Sequence, residues 1–284
     1  MKRSRSVRWV AASVALVAGL TALGPTPSVH AGQASPPRTP SAVAAAETTV
    51  MTWNIAGGAI DAGADKWAEH INVLLADVVG LQEVCQHQVY DIETNLEEVT
   101  GVSWESRFGV AQNFAASCIG PYGQAFMIKS SAQPRDWLNH PYPHEEAGCG
   151  QDPEERAAQS VTVTLGGVDV RVFNTHMATE GRAWCQVPVL IRLASHWPNS
   201  IVMGDFNLRP TDTPMQQFTT AGFRNMHPNS YLTVSNDPED CNKKPTIKFD
   251  YILVRGSVRK SFDLFPMCND ASDHRALIAG VLTP

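Results

Sequence analysis

The chain contains no Cys-x-x-Cys pair, no adjacent arginines and no apolar run of the ~20 residues that a bilayer-spanning helix needs. The first absence argues against a zinc site built on paired thiolates. The second argues against twin-arginine export, and the third against a membrane span. No internal repeat is present, and there is too little low-complexity sequence for a largely disordered protein. Basic residues are also scarce. Of 22 Lys and Arg, four (Lys2, Arg3, Arg5, Arg8) fall in the first 31 residues, which carry no Asp or Glu. The remainder holds 18 basic against 28 acidic residues, a formal net charge of −10. Such a chain gets no long-range attraction to a polyanion, so a protein that coats DNA without cutting it is disfavoured. Any phosphate contact must come from a local patch or a metal ion.

What is present begins with 43% hydrophobic residues, enough for one sizeable core. Residues 1–31 read as a secretory signal: a basic start, an apolar run from Trp9 to Leu23, then Val29-His30-Ala31 with small residues at cleavage spacing. Residues 32–47, rich in Ala, Ser and Pro, read as a flexible linker, and residues 48–284 as the folded, secreted domain. All six cysteines (Cys85, Cys118, Cys149, Cys185, Cys241, Cys268) follow the signal, which points to three disulfides. Cys241 with Cys268 is the one pairing suggested, since both precede the last two motifs.

Apolar, β-branched runs predict strands at 48–55, 77–83, 104–111, 123–129, 158–165, 168–174, 200–205, 248–254, 257–264 and 275–282. Trp67, Ile71, Leu74 and Leu75 recur at helical spacing within 65–76, and a polar helix follows the second strand to about Val99. A further helix is expected to start at Pro188, a residue tolerated at a first helical position. Many strands with few helices between them indicate an α/β fold of two packed mixed β-sheets flanked by helices.

Polar residues collect where these strands end or begin. Trp53-Asn54-Ile55, Leu81-Gln82-Glu83, Asn174-Thr175-His176 and Gly204-Asp205-Phe206-Asn207 close apolar strands; Asp250 opens one, and Ser272-Asp273-His274-Arg275 precedes the last. Any one of these alone is more often a turn cap or a satisfied structural group. The ordered set across the whole domain resembles the deoxyribonuclease I-like endonuclease/exonuclease/phosphatase superfamily.

That resemblance implies a four-layer sandwich and metal-dependent phosphodiester hydrolysis. It implies Asn54, Glu83 and Asp273 as metal ligands, with Mg²⁺ the expected ion and Mn²⁺ or Ca²⁺ possible. Hard oxygen donors suit such ions. By the same resemblance His274 is the general base, Asp205 orients the attacking water and Asn207 holds a phosphate oxygen. His176 stabilises phosphate or protonates the leaving group, with Asp250 fixing its tautomer. Arg156, just ahead of a strand, is a candidate phosphate contact, and Tyr122 a candidate substrate contact. His70 and His87, on helices, are expected to be surface or packing residues.

Departures from the individual branches of the family narrow the substrate. Val84-Cys85 after Glu83 departs from the apurinic-endonuclease branch, and Phe249-Asp250-Tyr251-Ile252 keeps only the Asp of the 5-phosphatase pattern. No exposed apolar hairpin of the sphingomyelinase kind is found; the nearest candidate is a polar loop from Trp137 to Tyr142. A secreted, monomeric nuclease therefore leads. A phospholipase C or sphingomyelinase, or a small-ester phosphatase, is the alternative. A catalytically silent binding module is disfavoured because every expected polar position is filled.

Overall fold

The structure is a computed structural model that describes residues 47–284 except 61, 144, 147–149, 152, 153, 180 and 238. The expected signal, nearly all of the linker, and Cys149 lie outside the described residues. Glu47, assigned to the linker, already pairs with Leu282 in the first strand.

The first sheet is built from the two ends of the chain. Strands β1 (Glu47–Asn54) and β2 (Val78–Cys85) run parallel at its centre, joined through helix α1 (Ala64–Val73). Helix α2 (Gln86–Thr100) leads to the hairpin of β3 (Trp104–Ala115) and β4 (Gly120–Lys129), which adds beside β2. The second sheet starts with edge strand β5 (Arg135–Pro141). A two-stranded ribbon, β6 (Glu145–Glu146) with β7 (Gly150–Gln151), separates β5 from β8 (Ala157–Leu165). Strands β9 (Val168–His176) and β10 (Ser200–Asp205) form its parallel pair, connected by helix α3 (Ala183–Ser195). Helix α4 (Thr213–Thr220), β11 (Arg224–Asn225) and β12 (Asp250–Arg255) complete it, and the chain returns to the first sheet as β13 (Arg259–Leu264) and β14 (Leu277–Leu282). The orders are β13-β14-β1-β2-β4-β3 and β11-β12-β10-β9-β8-β5. Two mixed six-stranded sheets flanked by helices are thus the fold class expected.

Alternation along the strands explains the layers. Val50, Val78, Val172, Ile201, Met203, Ile252 and Ala279 face the partner sheet and make the central core. The intervening residues Met51, Trp53, Val79 and Leu81 face outward onto Trp67, Ile71, Ile92 and Leu96 of α1 and α2. Val202, Phe206, Tyr251 and Leu253 do the same for Val187, Leu190 and Phe218 on α3 and α4. Both faces of the central strands are covered, which is why their sequences are nearly continuous apolar runs. No helix among the described residues is long and apolar enough to cross a membrane.

Three local expectations are corrected. Helix α1 stops at Val73: Leu75 turns to φ +53° and is 71% exposed, so it is not part of the buried stripe. Helix α3 begins five residues before Pro188, which lies inside it. Ala183, Val187, Leu190 and Ala194 are buried at helical spacing, and that packing outweighs the one hydrogen bond lost at the proline. Residues 137–141 form part of β5 rather than a loop, with Trp137 packed on the central core. The structure holds disulfides Cys85–Cys118 and Cys241–Cys268, the second being the pairing suggested. Cys185 is disulfide-bonded as well.

One buried titratable group tests the packing between the sheets. His227, just after β11, donates from Nε2 to the Ile278 carbonyl of β14 at 2.8 Å. Burial is the main reason its pKa is lowered from 6.5 to about 4. As pH falls the unfolded chain takes this proton first, so the stabilisation is whole above pH 6.5 and is lost as pH drops toward about 4. The loss should reach about 2–3 kcal/mol. His227→Gln keeps an N–H donor and does not titrate. In urea unfolding at pH 7 and pH 4, the variant should lose about 2–3 kcal/mol less than the wild type. Equal losses would show that His227 is not held neutral.

Candidate active site

The parallel pairs place the polar residues. Because β1 and β2 run the same way, Asn54 and Glu83 reach the same edge; because β9 and β10 do, His176 and Asp205 stand directly opposite each other. Antiparallel β12 brings Asp250 opposite Asp205 on its other side, giving a row His176, Asp205, Asp250 across one sheet. The two sheets meet through Asn54, whose Nδ2 donates to Glu83 Oε1 (2.9 Å) and to Asp205 Oδ2 (3.1 Å). The segment before β14 is anchored to the same end. Ser272 Oγ donates to the Asn54 carbonyl (2.6 Å) and accepts from the His274 amide (3.0 Å), and Trp53 Nε1 donates to the His274 carbonyl (3.1 Å).

Local backbone is strained at these positions. Glu83 has φ +58° and sits at a register break between β2 and β4, so the bulge turns its carboxylate toward Asn54. Asn207 has φ +49°, with its amide donating to Asp205 Oδ1 at 2.9 Å. Gly204 is demanded twice over. Its φ is +145°, and a Cβ there would lie 1.9 Å from the Thr175 carbonyl oxygen.

The two histidines have different partners. His274 Nδ1 bonds Asp250 Oδ2 at 2.9 Å, and its Nε2 lies 3.8 Å from Asp205 Oδ2. Asp250 is therefore the partner of His274, and its expected pairing with His176 is corrected: the loop from Ser272 brings the His274 ring in beside β12. His176 Nδ1 instead accepts from Arg156 Nη1 at 2.7 Å. Its Nε2 lies 3.5 Å from Asp205 Oδ2, 3.9 Å from Glu83 Oε1 and 3.2 Å from Asn207 Nδ2.

Charge follows the partners. Burial would lower His274, but Asp250, Asp205 and Asp273 outweigh it and push the ring up to about 10. Burial and then Asp250 push Asp205 up to about 7, against the opposing pull of His274. His176 falls well below the usual imidazole value through burial, Arg156 and His274.

Asn54, His176, Asp205, Asp250 and His274 are buried; Glu83 and Asn207 are half-buried and Asp273 is exposed. Glu83 thus stands at the mouth, and Asp273 acts on His274 through its charge from the solvent side. Tyr122 is buried within β4, its hydroxyl pushed up by burial and by Glu83 and Glu154. With Glu83, Gln112, Ala115, Ser117 and Glu154 it lines a cavity beside the site. Glu154, which binds Arg156 Nη2 at 2.9 Å, was not picked out in the sequence; its position two residues before Arg156 was the only clue. Among the described residues, Asp205, Asp250 and His274 bring possible ligand atoms within 4.8 Å of one another. Asp250 Oδ1 is buried with no hydrogen-bond partner. The Glu83 carboxylate adds oxygen donors of the kind a divalent cation takes; Asn54 presents Nδ2 to Glu83 and Asp205, so its Oδ1 would face a cation there only with the amide turned over.

A sequence profile of the endonuclease/exonuclease/phosphatase family matches residues 51–274, and the chain belongs to that family. Its members are hydrolases acting on phosphoesters. No curated protein matches the chain in sequence. Solved structures share the fold. An endonuclease/exonuclease/phosphatase from Beutenbergia cavernae DSM 12333 superposes with a TM-score of 0.68 at 20% identity, covering 84% of this chain and 72% of that one. The mannosyl-6-phosphatase Bt3783 of Bacteroides thetaiotaomicron VPI-5482 gives 0.64 at 16%, covering 82% and 99%. D. rerio TDP2 complexed with single strand DNA product gives 0.59 at 16%, covering 83% and 98%.

The Asp250–His274 contact has a direct spectroscopic consequence. In EDTA, NMR titration should find His274 still protonated at pH 8, well above the ordinary imidazole value. Asp250→Asn should lower its midpoint by at least about one unit, since a neighbouring carboxylate typically contributes that much or more. A wild-type midpoint near 6.5 would contradict the contact.

Proposed function

We propose that the chain is an exported, monomeric, divalent-metal-dependent phosphodiester hydrolase acting on nucleic acid. The observation that carries the reaction is the meeting of Asn54 and Glu83 from one sheet with His176, Asp205 and Asp250 from the other, joined by the 3.1 Å bond from Asn54 to Asp205. Hydrolysis needs an activated water and charge stabilisation at phosphorus. His274, oriented by Asp250, takes the proton from a water that Asp205 positions. Asn207, half-buried at the mouth, holds a phosphoryl oxygen, and His176 faces the same space through Nε2. Asn54, Glu83 and Asp273 hold the cation. Mg²⁺ is the first choice, and Mn²⁺ or Ca²⁺ suits the same oxygen donors. Bound there, it would neutralise phosphoryl and carboxylate charge and leave His274 able to accept a proton.

Export is supported by the character of residues 1–31 and by the disulfides, which persist in oxidising compartments. Nucleic acid is supported by the DNA product bound to the structurally similar TDP2. A phospholipid diester is the second reading, favoured by the turn joining β3 to β4. Phe114 at the end of β3 and Ile119 in the turn are 62% and 86% exposed, and Cys118 ties that turn to Cys85, two residues past Glu83.

Double-stranded DNA, RNA and sphingomyelin assayed side by side separate the readings. Cleavage of DNA or RNA is expected with Mg²⁺ and none with EDTA; cleavage of sphingomyelin alone would replace the nuclease by a lipid diesterase. Glu83→Ala should lose at least ~10²-fold, because charge stabilisation by a metal is worth several kcal/mol. Full activity in EDTA would refute the metal-dependent mechanism.

A further inference from the structure

Arg156 lies one residue ahead of β8, whose first residue Ala157 stands opposite His176 at the end of β9. Its backbone carbonyl is fixed by the Tyr142 amide at 2.9 Å. Its side chain is only 7% exposed and is directed inward: Nη1 donates to His176 Nδ1 at 2.7 Å, and Nη2 donates to Glu154 Oε2 at 2.9 Å. A guanidinium has donors and no acceptor. For this contact to form, His176 Nδ1 must offer its lone pair, and the single ring proton must sit on Nε2. That nitrogen points into the site, 3.5 Å from Asp205 Oδ2 and 3.9 Å from Glu83 Oε1. The Asn207 Nδ2 donor also lies 3.2 Å from it, but that amide is already committed to the Met177 carbonyl at 2.8 Å, and the 2.7 Å Arg156 contact is the shorter claim on the ring.

We propose that Arg156, braced by Glu154, is a positioning residue that fixes His176 as the neutral Nε2–H tautomer, so that His176 donates a hydrogen bond to a phosphoryl oxygen. This rests on the phosphoester-hydrolase reading and replaces the direct phosphate contact first expected of Arg156. The usual orienter of an active-site imidazole is a carboxylate or carbonyl that accepts from the ring and leaves the far nitrogen a base. A guanidinium does the opposite. It makes the near nitrogen the acceptor and the far nitrogen the donor, so His176 supplies electrostatic stabilisation rather than proton abstraction. The two imidazoles then have separate roles, His274 on Asp250 facing the water and His176 on Arg156 facing the phosphate.

The test combines a spectrum with kinetics. In the wild-type protein labelled with ¹⁵N-histidine, the His176 signals, assigned by their loss in His176→Gln, should report an unprotonated Nδ1 and a protonated Nε2. A protonated Nδ1 would overturn the proposal, and this measurement depends on neither activity nor the folding of an Arg156 variant. With bis(4-nitrophenyl) phosphate and Mg²⁺, Arg156→Met should lower kcat by roughly 10–100-fold, as loss of an orienting partner typically does. KM and inhibition by inorganic phosphate should change less than about threefold, because the hydrogen bond from His176 strengthens on charge that develops in the transition state. Arg156→Lys, which keeps a donor, should recover part of the loss. In a His176→Ala background, Arg156→Met should cost less than about 3-fold more, since groups acting through one another are non-additive. A tenfold rise in KM and in the phosphate inhibition constant with kcat preserved would make Arg156 a phosphate ligand instead. If the diester is not hydrolysed at all, the functional reading fails, while the tautomer is still decided by the spectrum.

Discussion

Asn54 holds the site together because its side chain hydrogen-bonds carboxylates from both sheets. Its Nδ2 reaches Glu83 on its own sheet and Asp205 on the other, while its Oδ1 accepts from the Ala56 amide. Behind it the sheets are stitched by a second amide pair, with Gln82 Nε2 donating to Asn174 Oδ1 at 2.6 Å and Asn174 Nδ2 to the carbonyls of Leu81 and Ala125. Buried amides of this kind are costly when unpaired and orienting when paired. Gly80 makes the approach possible, since a Cβ there would stand 2.8 Å from Asn174 Cγ. The distance between the sheets at this end, and with it the spacing of the carboxylates, is thus set by specific polar contacts. Apolar packing, which fills the rest of the interface, has no comparable directionality.

At the same end of the sandwich two local backbone preferences are overridden. Glu83 and Asn207 adopt left-handed φ values with ordinary side chains, conformations that persist only where the surroundings over-determine them. In both cases the surroundings are on hand: the bulge against β4 for Glu83, and the Asp205 carboxylate for the Asn207 amide. These are the two buried-edge residues with appreciable exposure at the mouth. The strain serves to aim polar groups outward from strands whose remaining side chains are all committed to packing.

This pattern explains which parts were legible in advance. Strands ending in Asn54, Glu83, His176 and Asp205 could be read because both their faces are covered, which writes long apolar runs with an abrupt polar end. Strand β5 could not, because an edge strand shows one face to water: Trp137 is inward and Leu138 is 52% exposed, so no run develops. Helix α4 offers only Pro214, Met215 and Phe218 to the core within eight residues, too short a signal to separate from loop. Among the candidate site residues, convergence on one end of the sandwich was legible and partnership was not. Which imidazole meets Asp250 depends on how the Ser272–His274 segment is pinned to Asn54, a contact across 218 positions that no local spacing encodes. The exposed Phe114 and Ile119 were hidden for a similar reason. They are separated in sequence by Ala, Ser and Cys, and the end of β3 with the turn after it presents both to solvent.

Partnership is also what distinguishes two chemically identical side chains. Burial lowers both imidazoles; Asp250, Asp205 and Asp273 then raise His274, whereas Arg156 and His274 lower His176 further, so their proton affinities part within one site. Paired titratable groups pushed apart in this way suit the division of labour proposed above between proton transfer and charge stabilisation. The division does not depend on either imidazole's own burial, which is nearly equal at 5% and 6% exposure. It depends on the sign of the nearest charge. That sign is fixed by strand register on one side, which sets Asp250 against Asp205, and on the other by the segment leading into β8, which carries Arg156 to His176. A fold that brings strand ends together from two sheets can therefore assign opposite roles to like residues without altering its core, because the assigning groups sit just outside the strands.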